Sequence, residues 1–209
     1  DWQQSPVRDA GEYFLVVRNN LTTDADYRFR LIDPDAAPLA AWGSEISGTL
    51  ADGRAKEVYR FQGAAGQRLV VDGLDADFDA ITLTIVSPAG DTMFSQNADS
   101  DRDRTTLPLT GTYYVHVDGG LNAAADYRLR LLDAGTGTPI AFGAEQSGTF
   151  PLGREIELFR FQGTAGQRIM YDGLDNDNDD VVVTLVEPGQ RAVFQVNADR
   201  DSDPVTLAA

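Results

Sequence analysis

The sequence predicts an all-β protein, a sandwich or barrel of many short strands, organised as a tandem repeat. Three observations carry that prediction. Short runs rich in β-branched and aromatic residues alternate with clusters of Gly, Pro, Asn and Asp, the pattern of many short strands joined by turns. No segment holds a convincing helical period. Sliding the 209-residue chain against itself by 100 positions aligns residues 11–109 with 111–209 without a gap, and about 45 of those 99 positions are identical.

In chain order, the first strand is expected over residues 11–17, with its copy at 111–117. Residues 27–31 follow, with their copy at 127–131. There Tyr27, Phe29 and Leu31 alternate with Arg28 and Arg30, so the apolar set should face a core and the arginines should face outward. Residues 19–23 and 119–122 read as the turns between these strands. A Pro/Ala-rich link follows Asp33-Pro34-Asp35 and is matched by residues 133–137. A new set then opens at Ser47-Gly48-Thr49-Leu50, with strands expected at 57–61, 67–71 and 81–86. Ser87-Pro88-Ala89-Gly90 is a turn, 92–95 is a returning strand, and 97–103 is an acidic loop.

The net charge of −16 argues against nucleic acid, whose phosphates need clustered Lys and Arg, and against an anionic membrane surface. Lys56 is the only lysine beside 16 arginines, a balance that suits a saline exterior where salt screens self-repulsion. No run approaches the roughly 18 apolar residues of a membrane span. Cysteine is absent, so disulfides hold nothing together. Asp1-Trp2-Gln3-Gln4 lacks the start of a secretory signal, so the chain reads as a mature product or an excised piece.

Ser47-Gly48-Thr49, Phe61-Gln62-Gly63, Ala65-Gly66-Gln67, Asp79, Pro88, Gly111-Thr112-Tyr113-Tyr114 and Tyr127 carry a family resemblance. In this order they resemble the bacterial pre-peptidase C-terminal (PPC) domain, a small jelly-roll-like β-sandwich found beside secreted proteases and in large surface proteins. Where that family carries Asp-Leu-Asp-Leu, this chain has Asp79-Ala80-Ile81-Thr82. The resemblance implies tandem jelly-roll-like antiparallel β-sandwich domains, and it implies a register. Residues 44–134 form one complete domain, 1–35 supply the closing strands of a preceding unit, and 145–209 supply the opening strands of a further one. The broken ends would expose unpaired strand edges, so either 145–209 is completed by 1–35 of the same or a neighbouring chain, the favoured expectation, or the 209 residues are an excerpt from a longer tandem array. Pairing between chains, head to tail, would generate a filament.

The acidic loops are the candidate site. Calcium takes about six to eight oxygens from carboxylates, Asn side chains and carbonyls on loops that can wrap it. Asp72, Asp75, Asp77 and Asp79, with Asn97, Asp99, Asp101 and Asp103, supply oxygens at close to every second residue. Two hairpin reversals should bring these loops to one end of the sandwich. The second copy offers Asp172, Asp175, Asp177, Asp179 and Asp180, with Asn197, Asp199, Asp201 and Asp203. Neither loop is an EF-hand. Asp and Asn also favour turns in their own right; against that plain reading stands the repulsion among so many carboxylates, which a divalent cation would remove.

Catalysis has little to work with. His116 is the only histidine, and its counterpart in the other copy is Val16, so it reads as structural. With no cysteine, zinc sites and Cys- or His-based nucleophiles are excluded, and no Gly-x-Ser-x-Gly elbow is present. Arg28, Arg30, Arg60, Arg128, Arg130 and Arg160 read as a solvated face pairing with carboxylates. Trp42 and Phe142 read as plugs between successive domains. The expectation is therefore a non-catalytic, extracellular, calcium-stabilised structural repeat of a bacterial surface adhesin, layer or filament, with itself as partner. The alternative is a polysaccharide- or matrix-binding accessory module of a secreted hydrolase.

Overall fold

The structure, a computed structural model, describes residues 10–20, 22–51, 54–75, 80–120, 123–174 and 180–208. Between residues 45 and 133 the chain makes eight strands: β1 (Glu45–Leu50), β2 (Lys56–Gly63), β3 (Arg68–Gly73), β4 (Ile81–Val86), β5 (Thr92–Asn97), β6 (Arg102–Thr106), β7 (Gly111–Gly119) and β8 (Ala125–Asp133). They form two four-stranded antiparallel sheets, ordered β1-β8-β3-β6 and β2-β7-β4-β5. Successive strands cross between the sheets except at the β4-β5 hairpin, which stays in one sheet, and this gives the two-sheet jelly roll.

Alternation along the strands builds the core. In β8, Tyr127, Leu129 and Leu131 are buried while Asp126 is exposed. In β7, Tyr113, Val115 and Val117 point inward against Phe61, Leu83 and Ile85. Each such apolar side chain contributes roughly 1.5–3 kcal/mol by leaving water. Gly48 is required opposite Tyr127, because a Cβ there would lie 2.6 Å from the phenol oxygen. That oxygen instead meets the Tyr59 hydroxyl at 2.6 Å.

The second copy repeats part of this plan. β9 (Thr138–Pro139), β10 (Phe159–Arg160), β11 (Arg168–Ile169), β12 (Val182–Val186), β13 (Ala192–Asn197) and β14 (Val205–Thr206) make three two-stranded sheets: β10-β9, β11-β14 and β12-β13. The register is that of the first copy moved by 100. Val183 faces Val196 as Leu83 faces Gln96, and Arg168 faces Thr206 as Arg68 faces Thr106. What differs is completeness. In the eight-stranded unit β7 lies between β2 and β4, and β8 lies between β1 and β3. Among the described residues of the second copy no strand takes the places of β7 and β8, and the β12-β13, β11-β14 and β10-β9 pairs stand as separate sheets.

Three expectations are corrected. Residues 11–17 and 27–31 carry strand patterns but form no strand here. A strand needs a neighbour to take its backbone hydrogen bonds, and this segment lies in no sheet, so Tyr27, Phe29 and Leu31 stand 68%, 60% and 77% exposed. Residues 102–106, read partly as loop, are strand β6 at a sheet edge. Trp42 and Phe142 do not plug a joint between domains; each packs edge-on against the following β2-type strand, Trp42 on Phe61 and Phe142 on Phe161, both with ring centroids 5.2 Å apart. The Trp42 indole also donates to Gln62 O at 3.0 Å.

Candidate functional site

The acidic residues of the first copy gather where β3 leaves its sheet and β5 turns into β6. Asn97 starts that turn, its Oδ1 accepting the Asp99 N–H at 2.8 Å and its carbonyl accepting the Ser100 N–H. The Ala98 N–H donates to Ile81 O, which anchors the turn on β4. Asp99 is fully buried beneath it. Asp101 Oδ1 accepts the Gly73 N–H at 2.9 Å, tying the turn to the end of β3. The approach is so close that a Cβ on Gly73 would sit 2.4 Å from the Asp99 carbonyl carbon. The second copy repeats the contact, with Asp201 Oδ1 accepting the Gly173 N–H at 3.0 Å.

Not every expected ligand shares that cluster. Asp72 lies in β3, wholly buried, and both of its carboxylate oxygens hold protein donors. Oδ2 accepts from Arg130 Nε at 2.8 Å and from Arg130 Nη2, and Oδ1 accepts the Ile156 N–H at 3.2 Å. Burial pushes the Asp72 carboxyl above the usual range, and the guanidinium opposes that rise. Asp103 lies within β6, pairing with Arg104 at 3.0 Å. Asp75 is half-buried, and Asp172, Asp180 and Asp203 are exposed. Asn197 and Asp199 are half-buried in the second turn, where Asp199 lies 3.9 Å from Arg200. Asp77, Asp79, Asp175, Asp177 and Asp179 lie outside the described residues. Among the described residues, no three His, Cys, Asp or Glu side chains converge closely enough to hold a metal ion.

The feature that sequence reading missed is the joint built on Asp72. The carboxylate couples β8 to β3 through Arg130, and through Ile156 it couples the complete unit to the second copy. Arg154 adds to this joint by donating to Asp99 O at 2.8 Å. Nothing in the spacing of Asp72 and Arg130 announces the pair, because they meet only through the cross-strand register.

His116 is buried in β7. Burial first, and then the charge of Lys56, holds its imidazole below the usual histidine range; Asp118, which pairs with Lys56 at 2.8 Å, opposes them. Two surface depressions flank the joint and the β3 end, one lined by Leu132, Thr138 and Ile156, the other by Gln67, Arg68 and Asp133; neither is lined by a histidine, a serine or two carboxylates. No described helix is long and apolar enough to cross a membrane.

No family model matches the chain, and no curated protein does. Among solved structures, it is similar to the pre-peptidase C-terminal domain of collagenase from Bacillus anthracis, at TM-score 0.41 and 20% identity over 48% of this chain and 99% of that one. It is also similar to PliG, a periplasmic inhibitor of g-type lysozyme. For the Aeromonas hydrophila protein the TM-score is 0.38 at 14% identity, covering 47% of this chain and 99% of that one. For the Salmonella Typhimurium protein it is 0.36 at 18%, covering 46% and 97%. The fold described above stands on its own ladders.

Proposed function

We propose that this chain is a non-catalytic structural module of a bacterial extracellular assembly, in which β-sandwich repeats are joined head to tail by strand complementation and stapled by calcium at their acidic loops. One observation carries the reading: residues 168–206 repeat strand pairings of the complete unit in the same register, and residues 11–33 repeat the sequence of its strands β7 and β8. The burial of the single histidine supports a role without chemistry. The convergence of the 72–75 and 97–101 segments, repeated in the second copy, supports the calcium staple.

Sedimentation velocity across a wide range of protein concentrations tests the assembly, and a chain that stays monomeric throughout refutes it. A thermal melt in millimolar calcium and again in excess chelator tests the staple. Binding to the folded state alone adds about 2.7 kcal/mol when free ion exceeds its Kd about 100-fold. A midpoint indifferent to chelator removes calcium from the proposal and leaves the assembly standing.

A further inference from the structure

We infer that residues 150–158 are a latch. They hold the second copy on the outer face of the β1-β8-β3-β6 sheet, and their release lets that copy swing about the short turn at Ala134–Thr136. The latch acts within one chain and needs neither calcium nor a second molecule.

In β3, Leu69 and Val71 belong to the core. Val70 and Asp72 therefore point the opposite way, beside Leu132 and Arg130 of β8. Both are nevertheless buried. The second copy lies over this face: the Ile156 N–H donates to Asp72 Oδ1 at 3.2 Å, and Ile156 and Leu158 wall a depression together with Leu132. Two residues before Ile156, Arg154 Nη2 donates to Asp99 O at 2.8 Å. Arg154 and Glu155 also lie near charges opposite to their own, those of Asp101 and Arg128. Local structure aims these groups. The Gly153 N–H donates to Phe150 O at 3.1 Å in a turn that puts Gly153 at φ +79°, where a side chain would be strained. The Leu152 N–H donates to the Glu155 carboxylate at 3.1 Å and closes the turn.

The pivot is as well defined as the latch. Asp133 Oδ2 accepts from Gln67 Nε2 at 2.9 Å, which ties the end of β8 to the complete unit. From Gly137 onward the chain is tied to the second copy. Gly137 O accepts from Arg160 Nε at 2.9 Å, the Thr138 N–H donates to Leu158 O at 2.7 Å, and the Ile140 N–H donates to Arg160 O at 2.8 Å. Only the turn Ala134–Thr136 stands between the two sets of bonds.

Two features leave the latch close to balance. The depression between Leu132, Ile156 and Leu158 holds about 190 Å³, so the apolar side of the contact is loosely packed. Closure also keeps water from the Asp72 carboxylate, and opening returns it while Arg130 keeps its pair. Against these costs stand two hydrogen bonds across the joint, each with one charged partner.

The chain has no cysteine, so one spin label can be placed in each copy, at the exposed residues Asp91 and Gln195. In full-length D91C/Q195C, double electron–electron resonance at low salt should give one narrow distance distribution. Arg154→Ala in that background should add a second, broad population. Amide exchange at Ile156 should quicken about tenfold or more, the effect of losing one hydrogen bond with a charged partner. Arg154→Lys should restore much of the narrow population. Arg191→Ala, which removes a pair within the second copy, should change neither reading. Amides in β7 and β13 should keep their exchange rates throughout, because both copies stay folded.

A distribution that is already broad without the Arg154 change overturns the latch. So does one that stays narrow in Arg154→Ala. Exchange that quickens across β13 together with Ile156 marks unfolding of the second copy in place of a swing, and also overturns it.

Discussion

Arg130→Met is the sharpest test of how the complete unit is held. Asp72 has no exposed surface, and Arg130 supplies two of its three donors. Methionine keeps the aliphatic stem and removes the charge, leaving a carboxylate buried without its counter-ion. At about 4 Å and an effective dielectric near 20, the lost attraction is about 4 kcal/mol. Measured losses for breaking one side of a buried pair run about 3–5 kcal/mol. For a unit spanning residues 45–133, a loss of about 3 kcal/mol lowers Tm by roughly 12–24 °C. Urea and thermal denaturation followed by Trp42 fluorescence, with Trp2 replaced by Phe, report that unit, since Trp42 packs on Phe61. The pH dependence gives a second reading. Burial raises the Asp72 carboxyl in the folded state, so the folded state holds a proton that the unfolded chain has released, and stability falls as pH rises through that window. Removing Arg130 extends the window upward, so the variant should regain stability when pH is lowered from 7 towards 5. Replacing both partners, as D72L/R130M, should recover most of the loss, because no charge is then stranded. A loss below about 1 kcal/mol in the single variant, or an equal loss in the double, refutes the argument.

Two further outcomes follow from the same geometry. His116, depressed by burial and by Lys56, is neutral in the folded state where the unfolded chain begins to take a proton. Its contribution is therefore lost as pH falls below the ordinary histidine value, at most about 1.4 kcal/mol per pH unit; urea midpoints from pH 7.5 to 5 should show this slope in the native chain and lack it in His116→Val, and an unchanged slope would reassign it. Leu129→Ala should cost about 2–5 kcal/mol, whereas Phe29→Ala, at the aligned position but exposed, should move the monomer by less than about 0.5 kcal/mol; equal effects in dilute denaturation would mean that residues 25–33 are already paired.

The strands with apolar alternation were legible: 57–61, 81–86, 111–117 and 127–131 lie within β2, β4, β7 and β8, and 67–71 overlaps β3, which begins one residue later at Arg68. β6 was not, because Arg102-Asp103-Arg104-Thr105-Thr106 buries only Thr105 and its charges mark a protected sheet edge rather than a core strand. Residues 11–17 and 27–31 show the opposite failure. Alternation records which face a strand would bury, and it is silent on whether a sheet is there to receive it. At the acidic loops, the expectation of two hairpin reversals foretold that the β3 end and the 97–101 turn lie at one end of the sandwich, where Gly73 N–H meets Asp101. It said nothing of Arg130, which lies 58 positions from Asp72 and reaches it only because β3 and β8 are neighbours.

The sheet order explains why the second copy takes this form. In the complete unit the last two strands, β7 and β8, are interior strands, one in each sheet, so they join both sheets across their centres, whereas the described strands of the second copy remain separate pairs. Hairpins whose partners are close in sequence are kept there, and β12–β13 retains even the irregularity seen between Ile85 and Val86, now between Leu185 and Val186. Contacts that depended on the interior strands are lost, and Phe159, Met170 and Val182 are left exposed. Residues 11–33 carry the sequence pattern of β7 and β8 in the order and spacing that the complete unit uses 100 positions later, so the repeat extends beyond the strands that pair here.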